Sequence, residues 1–238
     1  TSEVTLSISE DLKTKKEFIQ NTDLLDFPGA RSRLVLNKIT DEETPLMYLR
    51  GKISYLFKRY STNLEINNLL FCINDQQIEV NELPSLLNEW ISTNIGDSID
   101  HRSTAISNLN TNPLFVIFTF FNKQLKFDST NDNDNDLDYK WDNRFIKFFQ
   151  EGIISTNYDW DTQWSNNNKL FNNFFMLRDY KYSSDVFDGY DEEGTEKSIN
   201  ENRIDYMKNL KDSFINYPFV KDHFDKPTES WDSSATAN

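Results

Sequence analysis

Cysteine, glycine and long apolar runs are all scarce in this 238-residue chain. The single cysteine, Cys72, rules out an internal disulfide and fits a reducing, cytoplasmic setting. Its place inside the apolar run Asn68–Asn74 predicts a buried core thiol. No stretch approaches the ~20 apolar residues that a membrane helix requires, the longest being Leu114–Phe121. No signal peptide is recognisable at the start. The chain opens on Thr1 rather than Met, which leads us to expect a piece processed or excised from something longer. Positive charge is also short: 25 Lys and Arg against 39 Asp and Glu give a net charge of −14. That balance argues against a nucleic-acid backbone or an anionic membrane surface as a general partner. The six glycines form no glycine-rich loop, and G-x-x-x-x-G-K-[ST] occurs nowhere.

Aromatic residues, by contrast, make up 14% of the chain, with 19 Phe and 10 Tyr, enough to fill a real core. Strand periods are expected over Glu3–Ile8 and Thr22–Phe27, the second closed by Pro28-Gly29. Leu46, Leu49, Ile53, Leu56 and Phe57 keep helical spacing, so Pro45–Tyr60 reads as an amphipathic helix with proline in its first turn. The short apolar runs Asn68–Ile73 and Leu114–Phe121 read as strands covered on both faces. Helices are expected around Val80–Ile91, over Asp138–Glu151 with Phe145, Phe148 and Phe149 inward, and over Ile199–Phe214, with a further strand at Phe171–Leu177. Strands alternating with helices predict an α/β fold: a mainly parallel sheet with helices on both faces. We expect an α/β domain over residues 1–195 and a C-terminal helical extension over 196–238.

Ligands of such sheets bind beyond the carboxyl ends of the strands, so the residues there carry the functional reading. After the Thr22–Phe27 run stands Asp26-Phe27-Pro28-Gly29. An aspartate closing a buried strand can hold the water shell of Mg²⁺, and the glycine lets a backbone N–H approach a terminal phosphate. This is the D-x-x-G element of GTPases in its D-x-P-G form, and a plain strand-to-loop turn with a capping aspartate is the alternative. After Leu114–Phe118 comes Thr119-Phe120-Phe121-Asn122-Lys123-Gln124-Leu125, where GTPases carry T/N-K-x-D. Thr119–Asn122 aligns with Phe at the lysine position and Asn at the aspartate position; Asn122–Leu125 keeps Asn-Lys but ends in Leu. Either alignment lacks the carboxylate that accepts two hydrogen bonds from guanine, which weakens guanine discrimination. The candidate nucleotide and Mg²⁺ residues are therefore Asp26, Gly29, Thr119, Asn122 and Lys123, with Asp26 acting on the metal through water. Without a phosphate-binding loop these 238 residues should not hydrolyse GTP by themselves; in GTPases that loop lies upstream of D-x-P-G.

Other clusters have plainer readings. Asp132–Asp136 mimics half a calcium loop, but Leu137 and Asn143 stand where Gly and Glu are needed, so a solvated loop is expected. Asp185–Glu193 reads as an acidic surface loop, and His101 and His223 as surface or interface residues. Trp141, Trp160 and Trp164 with Tyr158 read as packing, with sugar stacking as the minor alternative. Arg31 and Arg33 follow the D-x-P-G turn, where a working GTPase has its switch.

Several separated blocks carry a family resemblance. Thr22–Arg33 (Thr-Asp-Leu-Leu-Asp-Phe-Pro-Gly-Ala-Arg-Ser-Arg), Leu49-Arg50-Gly51-Lys52 leading into Leu56–Tyr60, and Pro218-Phe219-Val220-Lys221-Asp222-His223-Phe224 resemble the bacterial putative virulence factor family of the SrfC type. The resemblance runs from Asp23 to about Trp231. It implies a P-loop GTPase-like, dynamin-like domain, incomplete at its N-terminus here, within a longer virulence-associated protein that would use GTP and Mg²⁺. It also implies preceding and following domains as partners. The alternative is a nucleotide-independent interaction or scaffold domain on a degenerate GTPase fold.

Overall fold

The structure, a computed structural model, describes residues 22–25, 40–41, 44–74, 83–109, 111–132, 136–154, 157–178, 185–190 and 196–235. The first described helix is α1 (Thr44–Thr62), followed by β1 (Leu69–Ile73), α2 (Leu83–Asn94), α3 (Ile99–Leu109) and β2 (Leu114–Phe118). A short α4 (Asn122–Leu125) and α5 (Asp138–Trp141) lead into a π-helix (Asp142–Ile154), then β3 (Phe174–Met176). β4 (Phe187–Tyr190) and β5 (Glu196–Ile199) precede a 3₁₀ turn, α6 (Ile204–Asn216), α7 (Pro218–His223) and α8 (Pro227–Ala235).

β1, β2 and β3 form a parallel sheet in that order, with Leu69 opposite Leu114 and Val116 opposite Phe174. The parallel sheet expected from the alternation is therefore present, with β2 at its centre. Crossover helices make this possible, because parallel neighbours cannot be joined by a hairpin. When strands advance in one direction, successive right-handed crossovers fall on one side of the sheet. The packing follows that rule. Leu114, Val116 and Phe118 are fully buried, and Phe118 meets Phe145 and Phe149 of the π-helix edge-on at 5.1 and 6.0 Å. Phe174 adds Phe149, Phe219 and Phe224 at 5.2, 5.5 and 5.7 Å.

The opposite face corrects the expectation of strands covered on both sides. Leu70 is 54% and Phe175 47% exposed, Cys72 is exposed, and Phe115 and Ile117 are half-buried. Among the described ring contacts, Phe115 meets only its same-face neighbour Phe175, tilted, at 5.8 Å. The alternating burial of β1 is that of a strand with one wet face. Cys72 is thus not a core thiol, since its position is of the opposite parity to Phe71 and Ile73.

Other expectations change in detail. Thr22–Leu25 is not a strand, and Leu24 and Leu25 are 85% and 44% exposed; the rest of that run, with Glu3–Ile8, lies outside the described residues. β2 stops at Phe118 rather than Phe121 because the chain turns there, with Phe120 at φ 55°. The strand expected over Phe171–Leu177 shrinks to Phe174–Met176. Part of the presumed acidic loop, Phe187–Tyr190, is instead a strand paired antiparallel with β5, and Val186 and Phe187 are buried. The helices after residue 196 join the same core: Phe214 and Trp231 pack on Trp141 at 5.3 and 6.3 Å, and Phe219 stacks on Phe145 at 5.0 Å.

Candidate functional site

The carboxyl edge of the parallel sheet is the region singled out by the sequence. At the end of β2, the Thr119 amide and hydroxyl both donate to the Ile73 carbonyl, at 2.9 and 3.1 Å, tying the exit of β2 to that of β1. Leu177 N–H donates to Phe118 O, and Phe121 N–H to Leu177 O, which ties in β3. Phe120 then takes a left-handed conformation, φ 55°, that a bulky side chain rarely adopts. The reversal throws the Phe120 ring outward, 40% exposed, with the Lys123 ammonium 5.6 Å from its centroid.

Thr119, Asn122 and Lys123 therefore stand together just past the central strand. Asn122 is buried, with 8% of its surface exposed, whereas Lys123 is exposed. Asp26 and Gly29, with Arg31 and Arg33, lie outside the described residues.

The residue the sequence reading missed is Arg144. It sits on the π-helix, fully buried, and its Nη2 donates to Ile73 O at 2.9 Å and to Thr119 O at 2.5 Å. Its guanidinium also lies 5.3 Å from the Phe118 ring centre. One cation thus joins the carbonyls at the exits of two parallel strands, through charge-assisted hydrogen bonds from Nη2 and a cation–π contact. A helical wheel at 3.6 residues per turn sets Arg144 beside Phe145 and Phe148 without distinguishing it. The only signal was an arginine amid inward-facing phenylalanines.

A second polar cluster lies beside this edge. Lys140 and Asp132 are both 6% exposed, their charges 3.2 Å apart. Lys140 Nζ donates to Lys126 O, Tyr139 O–H to Asp132 Oδ1 and the Asp128 amide to Asp132 Oδ2. Burial lowers the Lys140 pKa and the Asp132 charge opposes that shift; the Tyr139 hydroxyl is pushed up by burial and by the same carboxylate. Asp132 is therefore a buried, fully engaged acid, not part of a solvated loop as expected. Among the described residues, no group of three His, Cys, Asp or Glu side chains could hold a metal ion.

His101 is exposed and pairs with Asp97 at 2.7 Å. His223 is not at the surface: it is 3% exposed, stacks on Phe219 at 4.2 Å and bonds Phe171 O through Nδ1 at 2.8 Å. Trp141, Trp160 and Trp164 are core residues, as the packing reading requires.

Comparison with known families decides one point: the family model described as putative bacterial virulence factor matches residues 1–238. The chain belongs to this family. Neither the comparison with curated proteins nor that with solved structures gave a match. Among the described residues, no helix of this family member is long and apolar enough to cross a membrane.

Proposed function

We propose that the chain is a nucleotide-independent interaction domain of a larger virulence-associated protein, built on an α/β sheet whose ligand edge is filled from within. The observation that carries this reading is Arg144. Parallel sheets bind ligands in the crevice past their strand exits, and here a buried guanidinium bonds the carbonyls at two of those exits. The absence of any glycine-rich phosphate loop in the 238 residues points the same way. A cytoplasmic location belongs to this reading and draws on the single cysteine.

The GTPase-like reading keeps one observation in its favour: Thr119, Asn122 and Lys123 follow the carboxyl end of the central parallel strand. Under it, Asp26 would hold the Mg²⁺ water shell, Gly29 would meet the terminal phosphate, and Asn122 or Lys123 would border the base.

Calorimetric titration with GTP and Mg²⁺ of a protein extended upstream of Thr1, where the GTPase-like reading puts the phosphate-binding loop, separates the two. The interaction reading expects no saturable heat up to millimolar nucleotide, which corresponds to roughly −4 kcal/mol. It also expects Asp26→Ala to change stability only slightly and leave partner binding intact. Saturable binding that Asp26→Ala and Asn122→Ala each remove would overturn it in favour of the nucleotide site.

A further inference from the structure

At the opposite, amino-terminal edge of the sheet lies a cleft of about 310 Å³ between α3, the loop entering β2 and the turn Ser165–Lys169. That volume lies at the small end of the roughly 300–1,000 Å³ of ligand pockets, room for one monosaccharide-sized molecule. Its walls are tied from beneath. Arg102, 7% exposed, donates from Nε to Trp164 O at 2.9 Å, from Nη2 to Gln163 O at 2.7 Å and from Nη1 to Gly96 O at 3.4 Å. Ser103 Oγ accepts from the Asn166 amide at 2.8 Å, fixing the turn to α3. Asn167 and Asn168, at φ 65° and 55°, reverse the chain so that Lys169 returns opposite Ser165. On the far wall, Asn112 Oδ1 accepts from the Leu114 amide, and Asn173 Nδ2 donates to Leu114 O at 2.6 Å.

The groups used in this framework leave others facing the cleft. The Asn112 amide is engaged only through Oδ1, and Asn172 only through Nδ2, which donates to Asp225 at 2.7 Å. Ser107, Thr111 and Lys169 line the cleft and make no side-chain hydrogen bond among the described residues. Hydroxyls and amides both donate and accept, as a polyol requires, whereas an ammonium only donates and carries charge. Trp164, 2% exposed, supplies an apolar floor suited to C–H groups of a sugar rather than an open stacking platform. Among the described residues no acidic side chain lines the cleft, in a chain of net charge −14. We infer that this cleft binds a small hydroxylated monoanion of the sugar-acid class, with Lys169 on the carboxylate and Ser107, Thr111, Asn112 and Asn172 on the hydroxyls.

The test is calorimetry on the full chain with D-galacturonate, D-galactose and inorganic phosphate as probes, at low and physiological salt. Galacturonate should bind, galactose more weakly, and binding should fall with salt. Lys169→Gln, which removes the charge at an exposed position and keeps a polar side chain, should weaken galacturonate by about tenfold or more while leaving the circular dichroism spectrum unchanged. Thr111→Val should weaken galacturonate and galactose alike. No heat with galacturonate at 20 mM (about −2 kcal/mol of affinity) would overturn the inference, as would galacturonate binding unchanged by Lys169→Gln. Phosphate binding as tight as galacturonate would overturn it too, because the hydroxyl contacts would then be idle.

Discussion

At the residue scale, single atoms decide two outcomes. Gly96 ends α2, where the amides of Ile95 and Gly96 both donate to Ile91 O. Its φ of 155° favours glycine, and a Cβ there would lie 2.7 Å from His101 Cβ and 2.8 Å from the Arg102 amide nitrogen. Gly96→Ala should therefore cost roughly 2–3 kcal/mol in urea denaturation; an unchanged midpoint would refute the close approach. Asp161 is 3% exposed, and burial raises its carboxyl pKa against the opposing Gln150 hydrogen bond and His223 charge. A raised carboxyl pKa means the neutral acid is the form that suits the fold. The group costs nothing below its unfolded value of 3.8 and costs progressively more as pH rises through the raised value. Asp161→Asn keeps an acceptor for Gln150 Nε2 without the buried charge. At neutral pH it should stabilise by about 1 kcal/mol, or raise Tm by about 2–4 °C. The gain should vanish as pH approaches 3.8, and a gain that persists there would point to packing rather than charge.

At the element scale, the segment Asp142–Ile154 shows what hydrophobic periodicity does and does not determine. An α-helix with Phe145, Phe148 and Phe149 inward is the expectation at 3.6 residues per turn. The structure instead forms 13 residues of π-helix, a rare state found mostly as single turns and often at functional sites. Its buried residues explain the choice: Arg144, Phe149 and Ile154 recur every five positions and Phe145, Phe149 and Ile153 every four, while Phe148 is half-buried. The wider turn directs Arg144 to the strand exits and both Phe145 and Phe149 onto Phe118. Phe145→Ala, which also removes the stack on Phe219, should cost about 3–5 kcal/mol. Phe148→Ala should cost clearly less, and equal losses in chemical denaturation would return the segment to an ordinary helix with three inward rings.

At the scale of the whole molecule, one face of the sheet carries the core and the other carries exposed apolar side chains. Cys72 lies on that second face, so a thiol reagent such as an aromatic disulfide should modify it completely in the native protein. Reaction only after urea is added would mean the face is closed. Much of this architecture was legible from the residues alone. Apolar runs and amphipathic stretches pointed to a parallel sheet, a strand starting at Leu114 and helices around Pro45–Tyr60 and Ile199–Phe214, because side-chain periodicity is a local property of the chain. Thr119, Asn122 and Lys123 could likewise be assigned to a strand exit from sequence order. Order along the chain could not say which face of the sheet would be covered, because that depends on the side to which both crossovers turn. Nor could it show that Arg144 would fill the strand exits, that His223, Asp132 and Lys140 would be buried, or that a polar cleft would open at the far edge. Apart from the local Asp132–Lys140 cluster, those outcomes join residues 25 to 71 positions apart, and only the packed molecule brings their atoms within hydrogen-bond reach.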